Sequence, residues 1–159
     1  MTTFRWLHLT DLHLGMRGQE SLWPNVEEIF FNDLKLLFDR DGAWDMVLFT
    51  GDLTQRGTKA EFDELDKLLQ KLWSRFKEWG FRPKLLAIPG NHDLVRPTNE
   101  SDPALLTLLH NWTLPAVQKP FWEKADSPQR SLISSAFLPF TEWWQNTSIP
   151  KPDIFNHGQ

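Results

Sequence analysis

Three short clusters in this sequence carry side chains suited to holding metal ions. They are Asp11-Leu12-His13, Gly51-Asp52 and Gly90-Asn91-His92-Asp93. Carboxylate and imidazole donors together favour Mn, Fe or Zn over calcium. The 159 residues contain no cysteine, which excludes a thiolate zinc site and a disulfide framework. Any metal must therefore be held by His, Asp, Glu, Asn or backbone oxygen. A carboxylate has two oxygens and can bridge two ions. Two ions about 3.5–4 Å apart can clamp a phosphoryl group and acidify a shared water. The chemistry that such a set would perform is hydrolysis of a phosphate ester by a metal-activated hydroxide. Gly51 and Gly90 let the backbone turn tightly just before Asp52 and Asn91, where a Cβ would clash.

Donors so far apart in sequence converge only if a scaffold delivers them to one place. Each cluster follows a strand-like run: Phe4 to Thr10, Trp44 to Thr50, and Lys84 to Ile88. The second and third runs are apolar through their centres, which predicts strands covered on both faces. Between them lie helical patterns. Val26, Ile29, Phe30, Leu34, Leu37 and Phe38 recur at helical spacing, and Gly42 follows as a stop. Thr58 and Glu61 form a capping-box pattern, after which Phe62, Leu65, Leu68, Leu69, Leu72 and Phe76 mark one face up to Gly80. Strand, helix, strand, helix, strand predicts an α/β fold with a mostly parallel sheet and right-handed crossover helices. Open sheets of this kind bind ligands at the carboxyl ends of their strands, where all three clusters fall.

Beyond the third run the pattern changes. Asp102-Pro103 and Ser127-Pro128 each read as a cap followed by proline at the first helical position, so residues 104–144 are expected to form two or three helices. Ile149 to Asp153 reads as a proline-broken loop. Residues 1–100 are thus expected to be a βαβαβ metal-binding unit, and 101–159 a helical continuation of the same domain. The length suits one compact domain. The net charge of −4 argues against a nucleic-acid partner held by bulk charge, although nucleic acid stays open as a substrate. No signal peptide is recognisable and no apolar run is long enough for a bilayer, so a soluble, cytoplasmic protein with no membrane partner is expected.

Leu9-Thr10-Asp11-Leu12-His13, Phe49-Thr50-Gly51-Asp52-Leu53-Thr54 and Ile88-Pro89-Gly90-Asn91-His92-Asp93 together resemble the first three motif blocks of the calcineurin-like metallophosphoesterases. The resemblance implies a metal-dependent phosphatase or phosphodiesterase using two divalent transition metals, manganese first and iron or zinc as substitutes. By that resemblance Asp11 and His13 hold the first metal, Asp52 bridges both, and Asn91 ligates the second. His92 would act on the substrate as a general acid, with Asp93 orienting its ring. The family continues with a histidine after a further strand and a Gly-His-x-His block, neither of which occurs here. The chain is therefore expected to be the N-terminal half of a two-sheet sandwich, stopping before its second half. The second metal site would be incomplete, and uncovered sheet would await the missing half or self-association. The alternatives are a non-catalytic metal-binding or scaffolding module of the same fold, and an effector domain of a longer protein.

Other polar residues are read more plainly. His8 and His110 are expected to be packed, the first in a strand and the second in a helix; His157 is the one remaining histidine late in the chain that could serve as a stray ligand. Arg56 and Arg96 follow the candidate ligands closely and could meet a substrate phosphate or simply be solvated. Glu61, Asp63, Glu64 and Asp66 read as a solvated helix face. Trp143 and Trp144 read as core.

Overall fold

The computed structural model describes residues 3–153. In chain order the elements are β1 (Trp6–Leu9), α1 (Gln19–Asp41), β2 (Met46–Thr50), α2 (Lys59–Glu78), β3 (Lys84–Ile88), α3 (Pro103–His110), α4 (Pro115–Glu123), α5 (Pro128–Ala136) and α6 (Leu138–Asn146). The three strands form one parallel sheet in the order β1-β2-β3. Leu7 pairs with Val47 and Val47 with Leu85; Leu9 pairs with Phe49 and Phe49 with Ala87. That register puts all six side chains on one face. The α/β fold with a parallel sheet is as the sequence predicts, and the open sheet with its helices is what the N-terminal half of a metallophosphoesterase would show.

The core lies between this face and the helices. Val47, Phe49, Leu85 and Ala87 pack with Phe31 and Leu34 of α1 and with Phe62, Leu65, Leu69, Leu72 and Phe76 of α2. Full burial of such a side chain stabilises the fold by about 1.5–3 kcal/mol. The opposite face, including Trp6 and Ile88, points away from this core, and both of those side chains are more than half exposed. The expectation that β2 and β3 are covered on both faces is therefore corrected. Leu48 and Leu86, the apolar residues of their second face, are only half-buried.

Each crossover helix starts and stops for a local reason. Thr58 caps α2 by accepting from the Glu61 N–H, and the Glu61 carboxylate accepts from the Thr58 N–H at 3.1 Å. Glu61 also accepts from the Arg56 N–H at 3.0 Å, which ties the preceding loop to the helix. Gly42 closes α1, its N–H donating to Phe38 at 2.8 Å. The inward face of α1 is narrower than its apolar pattern suggests. Val26 and Ile29 are exposed, because Phe30, Phe31 and Leu34 turn the other side of the helix to the core.

After β3 come four helices where two or three are expected. All four have proline at their first or second position. Asp102 and Ser127 cap α3 and α5 through their side chains, as predicted. The starts of α4 and α6 lack a side-chain cap and follow Leu114 and Phe137, so they carry no polar signature before the proline. α6 then folds back on α2. Asp66 accepts from the Trp143 indole at 3.3 Å and from the Thr147 hydroxyl at 2.5 Å, and Phe62 stacks on Trp143. Asp66 is thus a clasp rather than part of a solvated face. Past α6, the Leu85 N–H donates to Pro150 at 2.7 Å, so the proline-broken loop runs beside β3. None of the described helices is long and apolar enough to cross a membrane.

Candidate metal centre

All three clusters lie in the loops that leave the carboxyl ends of β1, β2 and β3. Their backbone is unusual. Asp11, His13 and Asp52 have φ values of 56°, 47° and 52°, the only non-glycine residues with positive φ among those described. A side chain in this left-handed region costs about 1–2 kcal/mol, and such strain persists only where surrounding structure enforces it.

The enforcement is visible. The Asp11 N–H donates to Gly51, His13 to Asp52 and Leu14 to Leu53, while Gln55 donates back to Leu14. The first loop is thereby laced to the second. The second is pressed onto the third by two glycines. A Cβ on Gly51 would stand 2.9 Å from the Gly90 Cα, and one on Gly90 would stand 2.5 Å from the Asp52 nitrogen. The His92 N–H then donates to Asp52 Oδ1 at 2.9 Å.

Asp93 completes the join from inside. It is fully buried. Oδ1 accepts from the Thr54 N–H and hydroxyl at 2.8 and 2.9 Å; Oδ2 accepts from the Leu53 and Gly90 N–H groups at 3.1 and 2.9 Å. Four donors on a carboxylate leave it no capacity for the His92 ring. That ring is instead set by Gln55, whose carbonyl lies 3.0 Å from His92 Nδ1. The expectation that Asp93 orients His92 directly is corrected accordingly. The bond to a carbonyl places a proton on Nδ1 and leaves Nε2 turned to the site.

The candidate ligand atoms meet without satisfying one another. His13 Nε2 is 3.7 Å from Asp11 Oδ1 and 4.0 Å from Asp52 Oδ2, both beyond hydrogen-bond distance. His13 Nδ1 is buried with no hydrogen-bond partner. The His13 and His92 rings stand perpendicular, 4.6 Å between centroids. His13, Asp52 and His92 each bring one ligand atom within 4.8 Å of the others. Asp11 stands at the mouth, exposed, its Oδ2 accepting from the Thr10 hydroxyl at 2.8 Å. Asn91 is exposed on the turn between Gly90 and His92. Imidazole and carboxylate donors gathered this closely fit a divalent ion.

The remaining candidates fall elsewhere. His8 is exposed rather than packed, its Nε2 bonded to the Thr50 hydroxyl at 2.7 Å. His110 is exposed in the last turn of α3 rather than buried in it. His157 lies outside the described residues. Arg56 and Arg96 are both exposed. Sequence reasoning missed two contributors. Thr54 is fully buried and binds Asp93 twice, while Gln55 acts through a backbone carbonyl, which no side-chain pattern can reveal.

Comparison with known proteins finds one family, described as calcineurin-like phosphoesterase, which matches residues 4–159. No curated protein matches the chain.

Proposed function

Because the chain belongs to the calcineurin-like phosphoesterase family, we propose that it hydrolyses phosphate esters with the help of a pair of divalent transition metals at the ends of β1, β2 and β3. The family itself suggests a metal-dependent phosphoesterase. The residue roles and manganese as the preferred ion are our reading. Asp11 and His13 would hold one ion, Asn91 the other, and Asp52 both. When bound, the ions supply Lewis acidity and a water acidic enough to act as nucleophile.

The protein's own groups would do the rest. Asp52 accepts from the His92 N–H through Oδ1, which leaves Oδ2 on the side of His13. His92, whose Nδ1 proton is held by Gln55, would as an imidazolium deliver its second proton, from Nε2, to the departing alkoxide and remain neutral with Nδ1 protonated. Acid help of that kind is typically worth about 10²–10⁴-fold in rate. Asp93 would serve as a positioning residue, since it fixes the backbone just after Asp52 and just before Asn91. Residues 1–100 are read as the metal-binding unit and 101–159 as its continuation. The clasp of α6 on α2 supports that assignment. The cysteine-free composition supports a reducing compartment, and we place the protein in the cytoplasm.

The observation that carries the proposal is the cluster of His13, Asp52 and His92, two of them in strained left-handed backbone, with left-handed Asp11 3.7 Å from His13. The test is Mn-stimulated cleavage of an aryl phosphomonoester and an aryl phosphodiester. Asp52→Asn and His92→Ala should each abolish turnover. Undiminished hydrolysis in both variants rules the mechanism out. Metal uptake with no hydrolysis of either ester supports the non-catalytic binding module instead.

A further inference from the structure

A groove of about 440 Å³ lies against the loop that carries Asn91 and His92. Its walls include Pro89, Phe121 and Trp122 of α4, Arg130 of α5, and Phe137 and Phe140 around the start of α6. The volume falls within the range of about 300–1,000 Å³ usual for small-molecule sites. The groove is fixed to the candidate metal centre by the chain itself. Pro89 stands two residues before Asn91, and just past His92 the Val95 N–H donates to the Ala136 carbonyl of α5 at 2.9 Å. Leu94 packs into the small core of Leu105, Leu108 and Ala136. Segment 89–95 therefore carries the candidate ligands and also anchors the groove.

The lining has two unusual features. Trp122 is 66% exposed, a large flat apolar ring left open beside the cavity. It meets Phe121 edge to face, with centroids 4.7 Å apart, so its plane is supported. Arg130 is the second feature. Its Nε donates to the Phe121 carbonyl, and its guanidinium lies 5.4 Å from the centre of the Phe121 ring. Backbone and ring thus hold the guanidinium in place, while no carboxylate pairs with it among the described residues. Its terminal Nη groups are free to donate.

We propose that this groove is a base subsite and that the substrate is a nucleotide phosphoester, with the nucleobase stacked on Trp122 and bonded by Arg130 while the phosphate sits at the strand ends. A nucleobase combines what the two features ask for, a flat π-face and an edge with nitrogen and carbonyl acceptors. A plain aryl ring would stack but leave the arginine unanswered. The net charge of −4 argues against an extended nucleic acid, so a mononucleotide or a short oligonucleotide end fits best. The placement of the phosphate rests on the phosphoesterase reading; the base contact does not.

The test compares binding of guanosine 5′-monophosphate and ribose 5-phosphate to the intact chain in metal-free buffer, by calorimetry. The two ligands share sugar and phosphate and differ in the base. The nucleotide should bind about tenfold tighter, the value expected of one stacked base. Trp122→Ala and Arg130→Met should each erase most of that ratio and leave ribose 5-phosphate binding unchanged. Trp122 is exposed and methionine retains contact with Phe121, so both variants should unfold at the temperature of the parent. Equal binding of the two ligands, no measurable nucleotide binding, or a ratio retained in both variants overturns the proposal. So does tighter binding of a phosphotyrosine peptide than of the nucleotide. Aryl phosphate hydrolysis measured in parallel separates the two ideas. If hydrolysis fails while the base preference stands, the phosphoesterase reading falls and the subsite survives. The reverse outcome removes the subsite alone.

Discussion

The loops after β1, β2 and β3 are held by hydrogen bonds and tight backbone contacts, whereas the segment from Pro103 to Asn146 is held by apolar packing between short helices. In the loops, Gly51 and Gly90 leave no room for a methyl group, and Asp93 answers four donors in a space closed to water. In the helical segment Leu105, Leu108 and Ala136 form a small core of their own, and Trp122, Leu114 and Leu138 stand largely in solvent. Rigid geometry is concentrated in the loops. The loops sustain three residues in strained left-handed backbone, which a softly packed region could not do. The helical segment is tied to the βαβαβ unit by Phe140 and Trp143 in the main core and by the Asp66 clasp on α2.

Substitutions in the two regions should have separable effects. The largest effect should come from Asp93→Ala, which leaves buried donors at Leu53, Thr54 and Gly90 without an acceptor. A loss of about 3 kcal/mol or more is expected in urea unfolding, together with loss of metal binding. Gly90→Ala drives a methyl group onto Asp52 and should cost about 1–3 kcal/mol, with metal affinity falling more steeply than stability. Asp66→Ala should cost about 1–2 kcal/mol by loosening α6, and metal affinity should not change. Asp102→Ala and Ser127→Ala remove single caps, each worth about 1 kcal/mol, again without effect on metal. If the cap variants weakened metal binding as much as Gly90→Ala, the two regions would not be separable in the way described.

The candidate side chains were more legible in the sequence than the surroundings that hold them. Asp11, His13, Asp52 and His92 stand out because side chains of that type at strand ends have few other uses, and the structure brings these four together. Capping residues such as Thr58, Asp102 and Ser127 were legible for the same reason, since a side-chain oxygen before a helix leaves a local signature. The position of the His92 ring was not, because its partner is the main-chain carbonyl of Gln55 and any residue has one. The acidic face of α2 misled in part. Asp63 is exposed and pairs with Lys59, but Asp66 turns to meet α6, a contact that arises 77 residues later in the chain. The starts of α4 and α6 were hidden because their prolines follow apolar residues.

In the proposed function the strand-end cluster is a metal centre. That assignment is tested most directly by titrating the chain with Zn²⁺ while following the imidazole resonances of its histidines. The account predicts that the His13 and His92 resonances shift, that His110 stays in place, and that Asp52→Asn abolishes the shifts. Equal movement of all three histidines, or shifts at His13 and His92 that persist in Asp52→Asn, would contradict it.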